Sequence, residues 1–401
     1  MLLRKIVLPL IIISMTGILG ASNCPAAGSP VSKKELETTV KQIFETRARA
    51  IITGADPAPV LACYDTGARL GRWALAHEEH KLNFVQQWAK KRGLRFIEAK
   101  PSIHITWFRV RGDTAEFIVH QTLQLGYVYP KDPAVNRFGI GTRHWMELVK
   151  RDGKWLIRKD FYTDGLGDDT LVPKPTPADG AACIGAVVKS SPAKNYSPGI
   201  FDREGAARYA DKYAGLAWGA GNNHKYNPRY RDLNGNGGDC TNFVSQCLGD
   251  QEGGRLPMDG TWYYRYDRNG GSGSRAWVQT EAFASWLLYS GHARRIARGT
   301  FPELNQPGVK FPRGAVRELQ KGDVIGYEEK GRIEHFAIVV GTDSRGYPVV
   351  DAHTVDRYHC PWDMGWDKKT VFHLFRINDG SQQLSRARKE KLGISRRTYP
   401  P

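Results

Sequence analysis

The sequence predicts an α+β protein in two parts, on three observations. An opening helical stretch gives way to four runs of alternating apolar and polar residues. A segment rich in Pro, Ala, Ser and Gly then divides the chain. Beyond it, a run of glycines leads into a helix headed by a cysteine, "NGNGGDCTNFVSQCLG" at 234–249. A chain of 401 residues divides naturally into two domains, since domains run to roughly 150 residues. Hydrophobic residues at 41% and aromatics at 11% are enough for buried cores and exclude a wholly disordered or fibrous chain.

Residues 1–27, "MLLRKIVLPLIIISMTGILGASNCPAA", carry Arg4 and Lys5, then an apolar run, then small residues. That is the layout of a secretory signal peptide, so a secreted or cell-envelope location is expected. A retained anchor is the rival reading, but the run is short and broken by Pro9, Ser14 and Thr16, and bilayer spans need about 20 apolar residues. No stable membrane anchor is expected after cleavage. Six cysteines stand at 24, 63, 183, 240, 247 and 360. An exported chain can oxidise them, but losing Cys24 with the signal leaves an odd number and at least one free thiol. The net charge of +17 suits anionic wall polymers outside the cell. No helix-turn-helix, zinc-finger or stacking motif supports nucleic acid as a partner.

Residues 32–163 form the first domain. Leu36, Val40, Ile43, Phe44 and Ile51 recur at helical spacing, and a second helical stretch covers 68–91. The alternating runs are 103–110, 115–125, 142–150 and 154–162, with Gly112-Asp113 and Asp152-Gly153 as hairpin turns. The closing run "DGKWLIRKDFYTD" resembles the last strand of cone-shaped NTF2-like domains. His77, His80, His104, His120 and His144 lie apart in this stretch and carry no expectation of a site. Residues 164–199 read as a linker. The second domain runs over 200–380, and a tail at 381–401 holds six basic residues against one acid.

Cys240 carries the chemical interest. Phe243, Val244, Cys247 and Leu248 fall on one face of the helix that follows it, and Asp239 suits its N-cap. The first turn of a helix favours negative charge, and the thiolate is the nucleophile. A calcium-loop reading of "DLNGNGGD" fails in its standard form, because the twelfth position, which needs a glutamate, is Phe243; a simpler oxygen cluster at 232, 234, 236 and 239 is the form left open. A cysteine nucleophile needs a base. His335 lies in "RIEHFAIVVG", whose two faces are both apolar, as in a buried central strand. The next alternating run, 347–355, follows a five-residue turn. One register sets His353 opposite His335, and a shift of two sets Asp351 there; either side chain would orient the imidazole. His353, His359 and Cys360 do not match a zinc spacing, so neither a metal nor another cofactor is expected.

Several of these segments together resemble a known family. "GGDCTNFVSQCL" (237–248), "SRAWVQTEAFASWLL" (274–288), "KGDVIGY" (321–327), "EHFAIVVG" (334–341) and "DAHTVDRY" (351–358) are similar, in order, to the putative amidase domain of secreted Firmicute proteins. That family shares its layout with NlpC- and CHAP-type cell-wall amidases of papain-like cysteine hydrolase fold. The resemblance implies a nucleophile-bearing helix packed on an antiparallel sheet. It implies Cys240 as nucleophile, His335 as base, and His353 or Asp351 as the third group. The implied reaction is hydrolysis of an amide in peptidoglycan or a wall peptide; an acyltransferase or a silent wall-binding scaffold are the alternatives. The backbone amide of Cys240, with Asn234 or Tyr230, would serve the oxyanion.

Overall fold

The computed structural model describes residues 32–54, 58–166, 176–181, 201–268 and 270–379. The signal-like segment, most of the 164–199 stretch and the basic tail lie outside them.

Helix α1 (Lys33–Thr53) starts where the Ser32 hydroxyl accepts the Glu35 amide, and it ends on Gly54 at φ 62°. Its buried face holds Leu36, Val40, Ile43, Phe44 and Ile51, the periodic residues of the sequence. After a single turn α2 (Ala58–Leu61) comes α3 (Arg69–Arg92), closed by Gly93 in the left-handed region. Strands β1 (Arg95–Arg111), β2 (Thr114–Val128), β3 (Asn136–Arg151) and β4 (Lys154–Phe161) pair antiparallel in succession. Both expected hairpins are present, joining Arg111 to Thr114 and Arg151 to Lys154. β1 starts eight residues before its alternating run, because Arg95–Ser102 also pairs with β2 while leaving charged side chains outside.

The second half follows with α4 (Arg203–Tyr213), α5 (Cys240–Gly249), the short ribbon β5 (Tyr264–Arg265) and β6 (Ser272–Gly273), α6 (Arg275–Val278) and α7 (Thr280–Tyr289). Then come β7 (Ala293–Gly299), α8 (Phe301–Asn305), β8 (Val324–Glu329), β9 (Arg332–Thr342), β10 (Pro348–Ala352), β11 (Asp356–Pro361) and β12 (Val371–Ile377). Their sheet does not stand apart from the first. One ten-stranded sheet runs β1-β2-β3-β11-β10-β9-β8-β12-β7, with β4 also on β3. At the seam, Gly141, Ile140 and Gly139 of β3 pair with Asp356, Arg357 and Tyr358 of β11. Glycine is required there: a Cβ on Gly139 would lie 2.0 Å from the Trp218 carbonyl oxygen.

The architecture is thus α+β on one large antiparallel sheet. Phe336, Ile338 and Val340 of β9 share a core with Phe243, Val244, Cys247 and Leu248 of α5. On the other side, Tyr327, Ala337 and Val339 join a second core that continues through Trp362 into Trp88, Phe96 and Phe138. Every residue of α5 is buried, so its polar side chains need internal partners. Asn242 accepts from Trp277 Nε1, Ser245 from Trp262 Nε1 and Gln246 from Tyr209 Oη. Burying Phe243, Val244 and Leu248 completely stabilises this layer by about 1.5–3 kcal/mol each. Cys63, Cys240, Cys247 and Cys360 are all free thiols.

Candidate active site

The glycine run brings the head of α5 down onto the turn between β10 and β11. Gly237 and Gly238 sit at φ 104° and 110°, a region that favours glycine. The Asp239 amide then donates to Thr354 Oγ1 at 2.9 Å. Asp239 occupies the N-cap position, but its side chain makes no cap hydrogen bond. This corrects the capping role expected of it. Oδ1 instead accepts from the Leu233 amide and from Asn242 Nδ2, at 3.0 and 2.8 Å. Oδ2 meets His353 Nδ1 at 2.6 Å.

His353 is clamped on four sides. Tyr226 and Phe243 stack on its two faces, each with ring centroids 3.8 Å away. Its Nε2 lies 2.7 Å from the carbonyl oxygen of Tyr213 at the end of α4. Both ring nitrogens are thereby occupied: Nε2 donates to a carbonyl, which only accepts, and Nδ1 is held by the Asp239 carboxyl. In this arrangement His353 has no free nitrogen with which to take a proton from sulfur or to orient another imidazole. It ties α5 to β10 and α4. Asn234, the candidate oxyanion donor, spends its Nδ2 on Tyr226 Oη at 2.9 Å. Tyr230, the other candidate, gives its hydroxyl to Asp250 at 2.6 Å and contacts Tyr266.

The Cys240 sulfur sits 3.8 Å from Thr241 Oγ1 and beside the amide N–H of Phe336 on β9. Burial pushes the Cys240 thiol up; the Phe336 amide and the Thr241 hydroxyl pull the other way, while the Asp239 charge adds to the rise. A ready-made thiolate, expected from the helix terminus, is therefore not the resting form. His335, one residue from that amide, turns to the opposite side of the strand. Its ring packs 5.5 Å from Tyr327 and 5.4 Å from Trp366. No hydrogen bond joins it to Cys240 among the described residues, and its Nε2 is buried without a partner. Burial, and then the Arg357 charge, lowers its pKa to about 3.

The strand register also differs from both expected alignments. Asp351 pairs with Ile338 and Val350 with Val339, after an irregularity between Val349 and Val350. Neither His353 nor Asp351 stands opposite His335. The irregularity slips the ladder by one, which moves each side chain to the other face relative to a regular hairpin. Asp351 accepts the His359 amide at 2.7 Å and lies against Asp211 of α4.

A second polar cluster, in the first half, was not anticipated from residues that lie far apart in the chain. His77 and His144 both stack on Tyr162, with centroids 4.8 and 4.0 Å away. His144 Nδ1 is 3.0 Å from Asp160 Oδ1, and its Nε2 is 2.8 Å from Thr142 Oγ1. Arg47 contacts Asp160 at 2.8 Å and Tyr64 Oη at 2.7 Å, and Lys81 reaches Glu78 at 2.7 Å. Arg47, Lys81, Gln121, Thr142, Tyr162 and Asp164 line a small cavity there. Alternation on β3 and β4 was the available signal, since it sends His144 and Asp160 inward together.

Comparisons with known proteins bear on the second half. Residues 200–375 match the family model described as "Putative amidase domain". YhbB of Bacillus subtilis (strain 168) is 34% identical over 160 residues, which is 39% of this chain and 42% of that protein. The match thus spans less than half the length of that relative. Among solved structures, the intermembrane-space region of the chloroplast protein ARC6 covers 33% of this chain and 98% of its own, at 13% identity and a TM-score of 0.24. A "Putative Scytalone Dehydratase" from Novosphingobium aromaticivorans covers 32% and 82%, at 15% identity and a TM-score of 0.22. Superpositions that loose carry no argument about either half. The segment that builds the Cys240 surroundings is, by its sequence, similar to an amidase-type hydrolase family.

Proposed function

We propose that residues 200–375 are a cysteine-dependent amidohydrolase of papain-like type, with Cys240 as nucleophile and His335 as base. The observation that carries this reading is the idle imidazole. A buried nitrogen without a partner costs about 1–3 kcal/mol, and such exceptions mark places where chemistry is held in reserve. His335 Nε2 is one, one residue from the amide that touches the Cys240 sulfur. Its depressed pKa keeps the ring unprotonated at ordinary pH, so it is a weak base where it stands and has to change surroundings to take the thiol proton.

For reaction the ring has to reach the α5 side of β9. A register irregularity lies directly beside it: Tyr327 pairs with His335, but Glu328 with Ile333, leaving Glu334 extra. Bulges re-aim neighbouring side chains, and moving this one past His335 exchanges the faces. Sulfur then loses its proton to His335 and attacks the scissile carbonyl. Backbone amides at the head of α5 meet the oxyanion. His335 returns the proton to the leaving amine, and water hydrolyses the thioester. The Asp239–His353 pair acts as a positioning element. The signal-like residues 1–27 and the charge of +17 support an exported enzyme acting on peptidoglycan or a wall peptide among anionic polymers.

A second reading, a silent scaffold, draws on the raised Cys240 thiol and its lack of a histidine partner. Iodoacetamide labelling near neutral pH, read by peptide mass, separates the two. A working pair predicts labelling at Cys240 that falls at least about tenfold in His335→Ala, the usual worth of a general base being 10²–10⁴. Labelling that ignores His335 sinks the enzyme. New amino termini on incubation with peptidoglycan, suppressed in Cys240→Ser, identify amide cleavage; a free carboxyl on the other fragment identifies hydrolysis, and its replacement by an amide to an added amine would identify acyl transfer.

A further inference from the structure

One buried carboxylate in the second half has no counter-charge. Asp351 on β10 is fully buried. One oxygen accepts the His359 amide at 2.7 Å, while Oδ2 is met by no donor group and faces only the Asp211 carboxyl. The polar group facing it is another carboxylate, Asp211 of α4, and burial together with that charge pushes the Asp351 carboxyl well above its usual range. The imidazole of His359, on β11, completes the group, with Nε2 2.8 Å from Asp211 Oδ1. Donor atoms of Asp211, Asp351 and His359 lie within 4.8 Å of one another. Among the described residues no lysine or arginine forms an ion pair with either carboxylate.

We propose that Asp211, Asp351 and His359 form a binding site for a divalent transition-metal ion of the Zn²⁺ or Mn²⁺ kind. Two carboxylates and one imidazole suit such ions, whereas Mg²⁺ and Ca²⁺ favour sites made of oxygen alone. Three protein ligands leave at least one position open to water. The ion neutralises the Asp351–Asp211 repulsion and takes up the orphaned oxygen. Asp211 and His359 are about one-third exposed, 36% and 34%, so an ion has a route in from solvent. The half-buried Tyr358 ring stacks on His359 at 4.2 Å and limits its motion. The location has a consequence for the cysteine seam. Asp211 stands two residues before Tyr213, and Asp351 two before His353, so the ion clamps α4 to β10 beside the His353 anchor. The proposal does not depend on Cys240 being a nucleophile.

The test uses full-length, tag-free protein stripped with EDTA and titrated calorimetrically with ZnCl₂, MnCl₂, MgCl₂ and CaCl₂. The expected result is one saturable Zn²⁺ or Mn²⁺ site per chain that raises Tm. Its affinity falls by about 100-fold or more in Asp351→Asn and in the surface variant His359→Gln, since even outer-shell losses cost 10–100-fold. His359→Gln keeps the test open if Asp351→Asn fails to fold. No saturable binding overturns the site, as does equal binding of Mg²⁺ or Ca²⁺. Zn²⁺ binding untouched by His359→Gln would place the ion on thiols and also overturn it. A higher metal-free Tm in Asp351→Asn, with no binding by the wild type, would show a proton-sharing carboxyl pair instead. Cys240 labelling, run in parallel, reports on the hydrolase separately.

Discussion

Two buried histidine–aspartate pairs, taken from opposite halves of the molecule, make opposite use of the same parts. His144 and His353 each place Nδ1 against a carboxylate, at 3.0 Å from Asp160 and 2.6 Å from Asp239. Aromatic rings cover both. They differ in what the second nitrogen meets. His144 faces the Thr142 hydroxyl, which donates or accepts, so that ring is free to be neutral; burial lowers its pKa against the pull of Asp160. His353 faces a carbonyl, which only accepts, so its Nε2 is committed to donating and neither nitrogen is open to a third group. An aspartate behind a histidine is therefore no mark of a base. The partner of the far nitrogen decides, and by that criterion His335, not His353, has a lone pair to offer.

The counter-ions differ too, and substitution separates the two pairs. Asp160 serves both His144 and Arg47; burial alone would raise its pKa, and those two neighbours hold it well below the carboxylate range. Asp160→Asn leaves buried Arg47 with only Glu78, at 3.6 Å, as a carboxylate partner, at an expected cost of about 3–5 kcal/mol in urea unfolding. Cys240 labelling should stay unchanged. Asp239→Asn turns one of its two accepting oxygens into a donating NH2, so either the His353 contact or the Leu233 and Asn242 contacts are lost, for about 2–3 kcal/mol. It also removes a charge that pushes the Cys240 thiol up, so iodoacetamide labelling should quicken. Equal labelling in the two variants would break the contrast.

The smallest effect concerns acid. Released by unfolding, His335 takes its proton near 6.5, whereas in the fold it stays neutral to about 3. A depressed folded value means that this contribution is complete above pH 6.5 and is lost as pH falls toward 3, the unfolded chain binding the proton first. In His335→Gln the acid limb of stability against pH should flatten by at most about 1.4 kcal/mol per pH unit, the residue being partly exposed. An unaltered limb would mean that His335 is protonated in the fold.

Much of this was legible in the sequence. Helical spacing located the buried face of α1, and "RDGK" fixed the β3–β4 hairpin because Asp152 and Gly153 tolerate positive φ. The glycine run did place Cys240 in the first turn of α5. What escaped was set by single-residue slips. The irregularity between Val349 and Val350 leaves no trace in an alternation of Val, Val, Asp and Ala. The same holds for the extra Glu334 beside His335. Asp239 was misread because N-cap preference describes a local competition, and a tertiary partner 114 residues away won it. Alternation puts His144 and Asp160 on one inward face, but Arg47 joins them only once α1 is stacked on β3 and β4.

The glycine seam of β3 and β11 has a mechanical meaning. A tethered binding module searches space around its enzyme and works by raising local concentration, and its linker length tunes the effect. Here the pairing of Gly139, Ile140 and Gly141 with Tyr358, Arg357 and Asp356 welds the halves, and the sheet itself sets the distance between them. Whatever surface the first half rests on, the head of α5 is presented to it at one fixed angle, like a blade in its handle.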